Sequence, residues 1–464
     1  MDRGSGGQVT SRAHGHHAVR AAGGYSAYSL VVTDRPGLRA DRDFVRFWTA
    51  RQISVMGSLI TAVALPVLIY RLTHSATLTA MTTMLEGLPY LMFGLFAGAL
   101  SDRWDRRRVM VAADLVCGTT IASIPIAHAT GHLAIAHVLV SAFLSQALVV
   151  FFDGAAFGAL PVLVGRERIG AANAALWGFG GVLDLGVPIM VGLLLGFVHP
   201  ADLLAVDSVT FFVSALLIGS IGRPLTGDRD HVPPFAPRQL VAEVLEGVRY
   251  LWQHPGIRPM TLIGILQSIS GAGFMALAVP YADRLLHIGT SGWRFGLLFA
   301  SWGVGGILAA ALTTRLLEKR TAVWLSLIGL PVSAVAGLVV ALTGSWLVAV
   351  LAMTLWGTTY QAVIMNSITY RQQVTPEHLL GRVVTAGRML AFGIGWTLGA
   401  AVAGTLAADL GVRKAMVTLV SVGAVAAAYA WWSPLRGQRH TAPEIAEPSA
   451  TRPGGGVSRA PQSP

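Results

Sequence analysis

The chain has 464 residues, 53% of them hydrophobic and only 12% charged, with a formal net charge of +11 and a mean hydropathy of +0.60. A soluble domain of this length needs far less apolar surface, so the composition excludes an ordinary globular enzyme and points to a polytopic membrane protein. The positive charge does not indicate nucleic acid, because the arginines gather at the ends of apolar runs instead of forming one patch.

Residues 1–42 are rich in Gly, Ser, His and Arg and lack the apolar core of a signal peptide, so they read as a disordered cytoplasmic tail. His14, His16 and His17 within it read as part of a spacer, not as a metal site. About twelve apolar runs follow, each long enough for the roughly 20 helical residues that a bilayer core requires. The first six, near 47–70, 78–100, 109–128, 133–152, 171–198 and 203–222, fall within 43–222. A connection over 223–258 contains "RQLVAEVLEGVRYLWQHP", whose apolar residues recur at helical spacing opposite Glu243, Glu246 and Arg249. That pattern predicts an amphipathic helix at the cytoplasmic surface. The other six runs, near 260–282, 293–312, 322–343, 346–366, 383–408 and 415–432, lie within 259–434, and a second disordered tail occupies 435–464. Cys117 sits inside an apolar run, where a buried thiol is expected and no disulfide framework exists.

Basic residues mark alternate ends of the runs: Arg103 and Arg106 to Arg108, then Arg166 and Arg168, then Arg223, Arg229, Arg238 and Arg249. Arg315, Lys319 and Arg320 continue the series, followed by Arg371 and Arg382. The loops between are short and nearly free of Lys and Arg. The positive-inside bias therefore places both termini and the even-numbered connections in the cytoplasm of a cell whose membrane the chain crosses many times. A constant shift also carries Gly94 onto Gly306, Arg103 onto Arg315, Arg107 onto Lys319 and Arg108 onto Arg320. Two related halves joined by a linker imply a solute site at the midplane between them, with access that alternates as the halves rock.

The run "GALSDRWDRRRVMV" concentrates charge between the second and third spans. In its plainer reading the arginines only stop translocation and set topology. In the sharper one, Gly98 and Asp102 share a helix face, the glycine permits close approach, and the carboxylate accepts hydrogen bonds from the start of the eleventh span. The run is similar to the G-x-x-x-D-R-x-x-R-R signature of the major facilitator superfamily, met here by Gly98, Asp102, Arg103, Arg106 and Arg107. With "FFDGAAFGALPVLV", "EGVRYLWQHP" and "RQQVTPEHLLGRV", the resemblance extends from Asp43 to Pro434. It looks closest to the bacterial branch that includes the enterobactin exporter and macrolide efflux proteins. It implies an all-α membrane protein of twelve transmembrane helices in two six-helix bundles, export from the bacterial inner membrane driven by protons, and a gate built from the signature residues. Thr314 stands where the repeat would carry the carboxylate, and "GVLDLGVPIMVG" departs from the G-x-x-x-G-P-x-x-G-G pattern of many drug antiporters. A closely packed, kinked fifth helix is still expected from Gly181, Gly186, Pro188 and Gly192.

Charge near mid-bilayer costs several kcal/mol, so an acid there faces a cavity or a partner. Glu86 and Asp184 lie near the centres of the second and fifth spans and are the candidate proton carriers. The alternative for each is an ion pair or an interhelical hydrogen bond, a reading that weighs more for Asp114 and Asp207. Arg51 is expected to snorkel to the interface and Arg388 to pair with an acid. Gln267, Trp302, Gln361, Asn366 and Trp396 are candidates for the wall of an apolar cavity suited to lipophilic or amphipathic solutes, with packing as their alternative role. "GFGGVLDLG" is no phosphate loop, since it lies within an apolar span without a preceding strand. No cofactor, metal cluster or nucleotide site is read from the loops. The resulting reading is a monomeric, proton-coupled exporter of a drug, siderophore or secondary metabolite. An uptake symporter on the same fold and a non-transporting receptor or scaffold are the alternatives.

Overall fold

The computed structural model describes residues 37–101, 103–226, 237–317 and 319–438. Most of both expected tails, the three tail histidines and Asp102 lie outside the described residues. Helix α1 (Arg42–Thr73) starts where the Asp41 carboxylate accepts the Phe44 N–H, and it stops at His74, which takes left-handed backbone angles. It is followed by α2 (Ala76–Ser101), α3 (Arg106–Ala129), α4 (Ile135–Val164), α5 (Ile169–Leu194) and α6 (Pro200–Gly219). Asp105 caps α3, and His199 caps α6 with a proline at its first position. After α7 (Pro237–Gln253) come α8 (Ile257–Arg284), α9 (Trp293–Leu317), α10 (Ala322–Leu342) and α11 (Trp346–Val374). The next span is composite: α12 (Glu377–Arg388) runs through a π-helical stretch, Met389–Trp396, into α13 (Thr397–Leu410). Helix α14 (Val412–Trp432) closes the series, with a short α15 (Leu435–Gln438) after it.

Among the described residues, eleven helices are long and apolar enough to cross a bilayer. At the place of the expected second span lies α2, a further helix of 26 residues, more apolar on average than α1 or α3. It packs against α4 and, across the molecule, against α13. The first six helices pack mainly on one another through α1 with α6, and α3 with α4 and α6. In the second group α11 lies between α9 and α10, and α14 lies against α8 and α10. Gly57 permits the packing of α1 on α6, because a side chain there would occupy the space of Asp207 and Thr210 on α6.

The apolar core is divided unevenly along the molecule. At the end away from the arginines a single cluster joins both groups, running from Leu65–Tyr70 of α1 through Phe274–Ala282 of α8 to Ala341 and Ala349. At the basic end the groups keep separate cores, one around Phe47, Met110, Phe152 and Leu163, the other around Leu251, Met260, Tyr370 and Val383. The halves are thus fused at one end and apart at the other. Helix α7 does not simply present its acids to water: Glu246 and Glu243 engage Arg382 of α12, and Tyr250 Oη donates to the Val374 carbonyl at 3.3 Å. Its apolar Val241, Leu245 and Trp252 remain exposed.

Candidate functional site: a central cavity open at the basic end

Between the two groups lies a cavity of about 870 Å³. Its wall descends α1 from Phe47 and Arg51 near the basic end to Pro66, and continues on α5 with the small residues Gly178, Gly180 and Gly181. Gly303 and Gly306 give α9 a similarly flat face. Gly178, Gly180 and Gly306 leave room for solute where bulkier residues would fill the space, Gly303 lets α9 approach the Asp184 backbone, which a Cβ there would meet at 2.7 Å, and Trp177, Phe299 and Phe157 supply broad apolar surfaces.

The far end is latched. Tyr70 Oη donates to Asp283 at 2.7 Å and accepts from Arg284 Nε at 3.0 Å. Arg71 donates to Thr290 Oγ1 at 3.0 Å and to the Leu195 carbonyl at 3.1 Å. The α5 and α9 backbones nearly touch at Gly192 and Gly296, and the Gly292 N–H donates to the Gly192 carbonyl at 2.6 Å. Thr77 joins α2 to the Gly404 carbonyl of α13 at 2.8 Å. The close packing of α5 expected from its glycines is therefore realised at Gly192, whereas Gly186 faces open space.

The cavity brings together most of the candidate residues. Glu86, half-buried, lies against the Trp396 indole, and Asp184 is exposed toward the cavity from α5. Trp302 packs edge-on against Trp356, with ring centroids 5.5 Å apart, and Gln361 stands beyond it in the same wall. Trp396 stacks on Phe392 at 5.2 Å. Gln267 and Asn366 are placed elsewhere. Gln267 is buried against α10, its amide donating to Ser333 Oγ at 3.3 Å. Asn366 is fully buried, and on α11 it falls about a quarter-turn from the cavity-facing Met365.

Two arginines differ from expectation. Arg51 does not snorkel; it forms an ion pair at 2.6 Å with Asp153, which also accepts from Tyr90 Oη at 3.1 Å. Asp153 escaped the sequence reading because the fourth run ends at residue 152, whereas α4 continues to Val164 and carries the acid inside. Among the described residues Arg388 pairs with no acid; it lies 5.5 Å over the Tyr90 ring and 5.9 Å over that of Phe157, reaching from the second group to the first. In the basic motif, Gly98 is in the last turn of α2. Arg106 donates to the Gly158 carbonyl of α4 at 2.7 Å, and Arg107 to that of Arg223 at 2.6 Å. These bonds bind α3 to its own half. Arg103 lies in the turn between α2 and α3.

Two helical groups around one acid-bearing cavity, open at one end and latched at the other, have the architecture of the major facilitator fold. The chain belongs to the transmembrane secretion effector family of that superfamily, matching its profile over residues 38–447. It is 26% identical over 377 residues to the multidrug efflux pump Tap of Mycolicibacterium fortuitum, a match covering 78% of this chain and 88% of that one. It is also 26% identical over 358 residues to the enterobactin exporter EntS of Citrobacter koseri, covering 75% and 81%. Among solved structures, a bacterial homologue of the human lysosomal transporter Spinster, inward-facing and unoccupied, superposes with a TM-score of 0.68. That match covers 86% of this chain and 97% of the other at 16% identity, and so carries the fold alone.

Proposed function

We propose that the protein exports a small lipophilic or amphipathic solute, such as a drug, siderophore or secondary metabolite, across a bacterial inner membrane in exchange for protons. The basic end faces the cytoplasm in this reading, as do both termini, so the structure corresponds to an inward-open conformation of a monomer in the lipid bilayer. Residues 43–222 and 259–434 act as the two rocking units, and 223–258 links them. The observation that carries the reading is the makeup of the cavity wall. Asp153 is neutralised by Arg51, while Glu86 and Asp184 face the cavity without an ion-pair partner among the described residues. Either acid is suited to take up a proton when the outer end opens and to release it when the inner end does. Glu86 is the first candidate for coupling, since the Trp396 indole beside it links its state to the π-helical stretch of the partner group. Gly98, Asp102, Arg103, Arg106 and Arg107 form the gate in this reading, gripping the second group when the inner end closes. The test is whole-cell accumulation across a panel of lipophilic fluorescent compounds, with and without a protonophore. Lower accumulation in expressing cells, abolished by the protonophore, supports the reading; higher accumulation means uptake, and no difference for any compound removes transport of this solute class.

A further inference from the structure

A second cavity, of about 330 Å³, lies beside the central one, wholly within the first six helices except where Phe392 of the π-helical stretch touches its rim. Its wall is mostly apolar but carries the hydroxyls of Ser54, Ser58, Thr61, Thr82 and Ser145 and the amide of Gln146. Its ionisable groups come from each surrounding helix: Arg51 on α1, Glu86 and Tyr90 on α2, and Asp153 on α4. Asp114 and Cys117 on α3 and Asp207 on α6 complete them.

These groups are not equivalent. Arg51 is bonded to Asp153, and both, with Glu86, line the central cavity as well, so the three form the partition between the two spaces. Asp207, 1% exposed, accepts from the hydroxyls of Thr61 and Thr210. Asp114, 2% exposed, has one carboxylate oxygen that is buried and meets no partner. Asp114 lies close enough to both Asp207 and Arg51 to interact with them electrostatically. Helix packing does not require this arrangement, because a buried carboxylate without a counter-ion costs several kcal/mol. The space is large enough for several water molecules, and the hydroxyls, the amide and the carboxylates on its wall are partners for them. No group of three His, Cys, Asp or Glu with metal-holding geometry occurs among the described residues, and the guanidinium of Arg51 disfavours a bound metal cation.

We infer that this side chamber is a proton-binding site distinct from the solute cavity, with Asp114 and Asp207 as the carrying pair and the Arg51–Asp153 bridge as the partition toward Glu86. A proton leaving a carboxyl of the pair passes through chamber water to the carboxylate of Glu86, so charge is conserved and no other reactant is needed. Its use in driving export rests on the proposed function; its binding does not.

The test is pH-difference infrared spectroscopy of the full-length protein in lipid nanodiscs, following the carboxyl C=O stretch, with Asp114→Asn, Asp207→Asn and Glu86→Gln measured in parallel. Asp114→Asn removes a charge whose unpartnered oxygen gives up no hydrogen bond, and Asp207→Asn keeps an acceptor for Thr61, so both variants are expected to fold. The expected result is a chamber band that changes reversibly with pH, disappears in each aspartate variant, persists in Glu86→Gln, and is the same in sodium and choline buffers. A band absent from the wild type, retained in both aspartate variants, or governed by sodium in place of pH overturns the inference. Protonophore-sensitive dye efflux by the same wild-type protein is scored separately. Coupled efflux without a titrating band defeats the chamber alone, and a titrating band without coupled efflux defeats the export reading alone.

Discussion

Tyr70→Phe should loosen the latched end without disturbing its packing. The ring, buried at 2% exposure, and the guanidinium 5.6 Å above it remain, and only the hydroxyl is lost. That hydroxyl makes two bonds to charged groups, to Asp283 at 2.7 Å and from Arg284 at 3.0 Å. A protected hydrogen bond to a charged group contributes about 1.5 to 3 kcal/mol, but Arg284 is exposed and Asp283 half-buried, and water replaces part of what is lost. A net loss of about 1 to 2 kcal/mol is therefore expected, which is a factor of about 5 to 30 in an equilibrium constant. Both bonds join one group to the other, so they are absent when that end opens and the whole loss falls on the closed state. Spin labels at positions 132 and 344, in the α3–α4 and α10–α11 loops of that end, report the change by double electron–electron resonance. Tyr70→Phe should raise the long-distance population at the expense of the short one. An unchanged distance distribution would refute the argument that these bonds hold the end closed.

Gly192→Leu should prevent the latched end from closing at all, because even a Cβ there would sit 2.6 Å from the Gly296 backbone; the same label pair should show only the long distance, and transport should be lost. After replacing the single native Cys117 by Ser, cysteines at Gly131 or Ser345 should react with an impermeant thiol reagent from outside the cell, and ones at Ser101 or Pro234 should not. The opposite labelling would invert the assigned orientation. His199, at the start of α6, has its pKa held below the usual histidine value, mainly by burial and then by the His128 ring stacked on it at 4.0 Å. A depressed histidine pKa means that the folded state prefers the neutral ring, so this contribution to stability is present above the unfolded value of about 6.5 and is lost as pH falls through and below it. His199→Asn, which preserves a capping acceptor, should flatten the acid side of the thermal-stability profile. A profile identical to the wild type would assign the acid sensitivity elsewhere.

The architecture was legible because lipid leaves a chain few options: apolar runs of bilayer length must be helices, and arginines accumulate at their ends on one side. Helix ends were less so. Residue 152 closes the fourth apolar run, yet backbone hydrogen bonding carries α4 through Asp153 to Val164, and the buried ion pair with Arg51 went unseen as a result. Gln267 and Asn366 show the complementary limit. Residue type suggests a polar lining, but which side of a helix faces the cavity depends on how the groups are set against each other. A quarter-turn separates Asn366 from the cavity-facing Met365. The π-helical stretch Met389–Trp396 left no mark in hydropathy, because local insertion into the helical ladder does not alter composition. Its glycines were the available signal: a side chain at Gly395 would collide with α8, and one at Gly393 would crowd α2.

Gradient-driven transport in inside-out membrane vesicles tests the central claim, that solute movement through the acid-bearing cavity is exchanged for protons. With a compound identified by the accumulation panel, a pH gradient acid inside should drive its uptake by wild-type vesicles. Glu86→Gln should abolish this accumulation while leaving passive exchange of labelled for unlabelled solute intact. If Glu86→Gln vesicles still concentrate the compound, Asp184→Asn becomes the variant that must fail. Full gradient-driven accumulation by both variants, or a wild type indifferent to the gradient, would contradict the account.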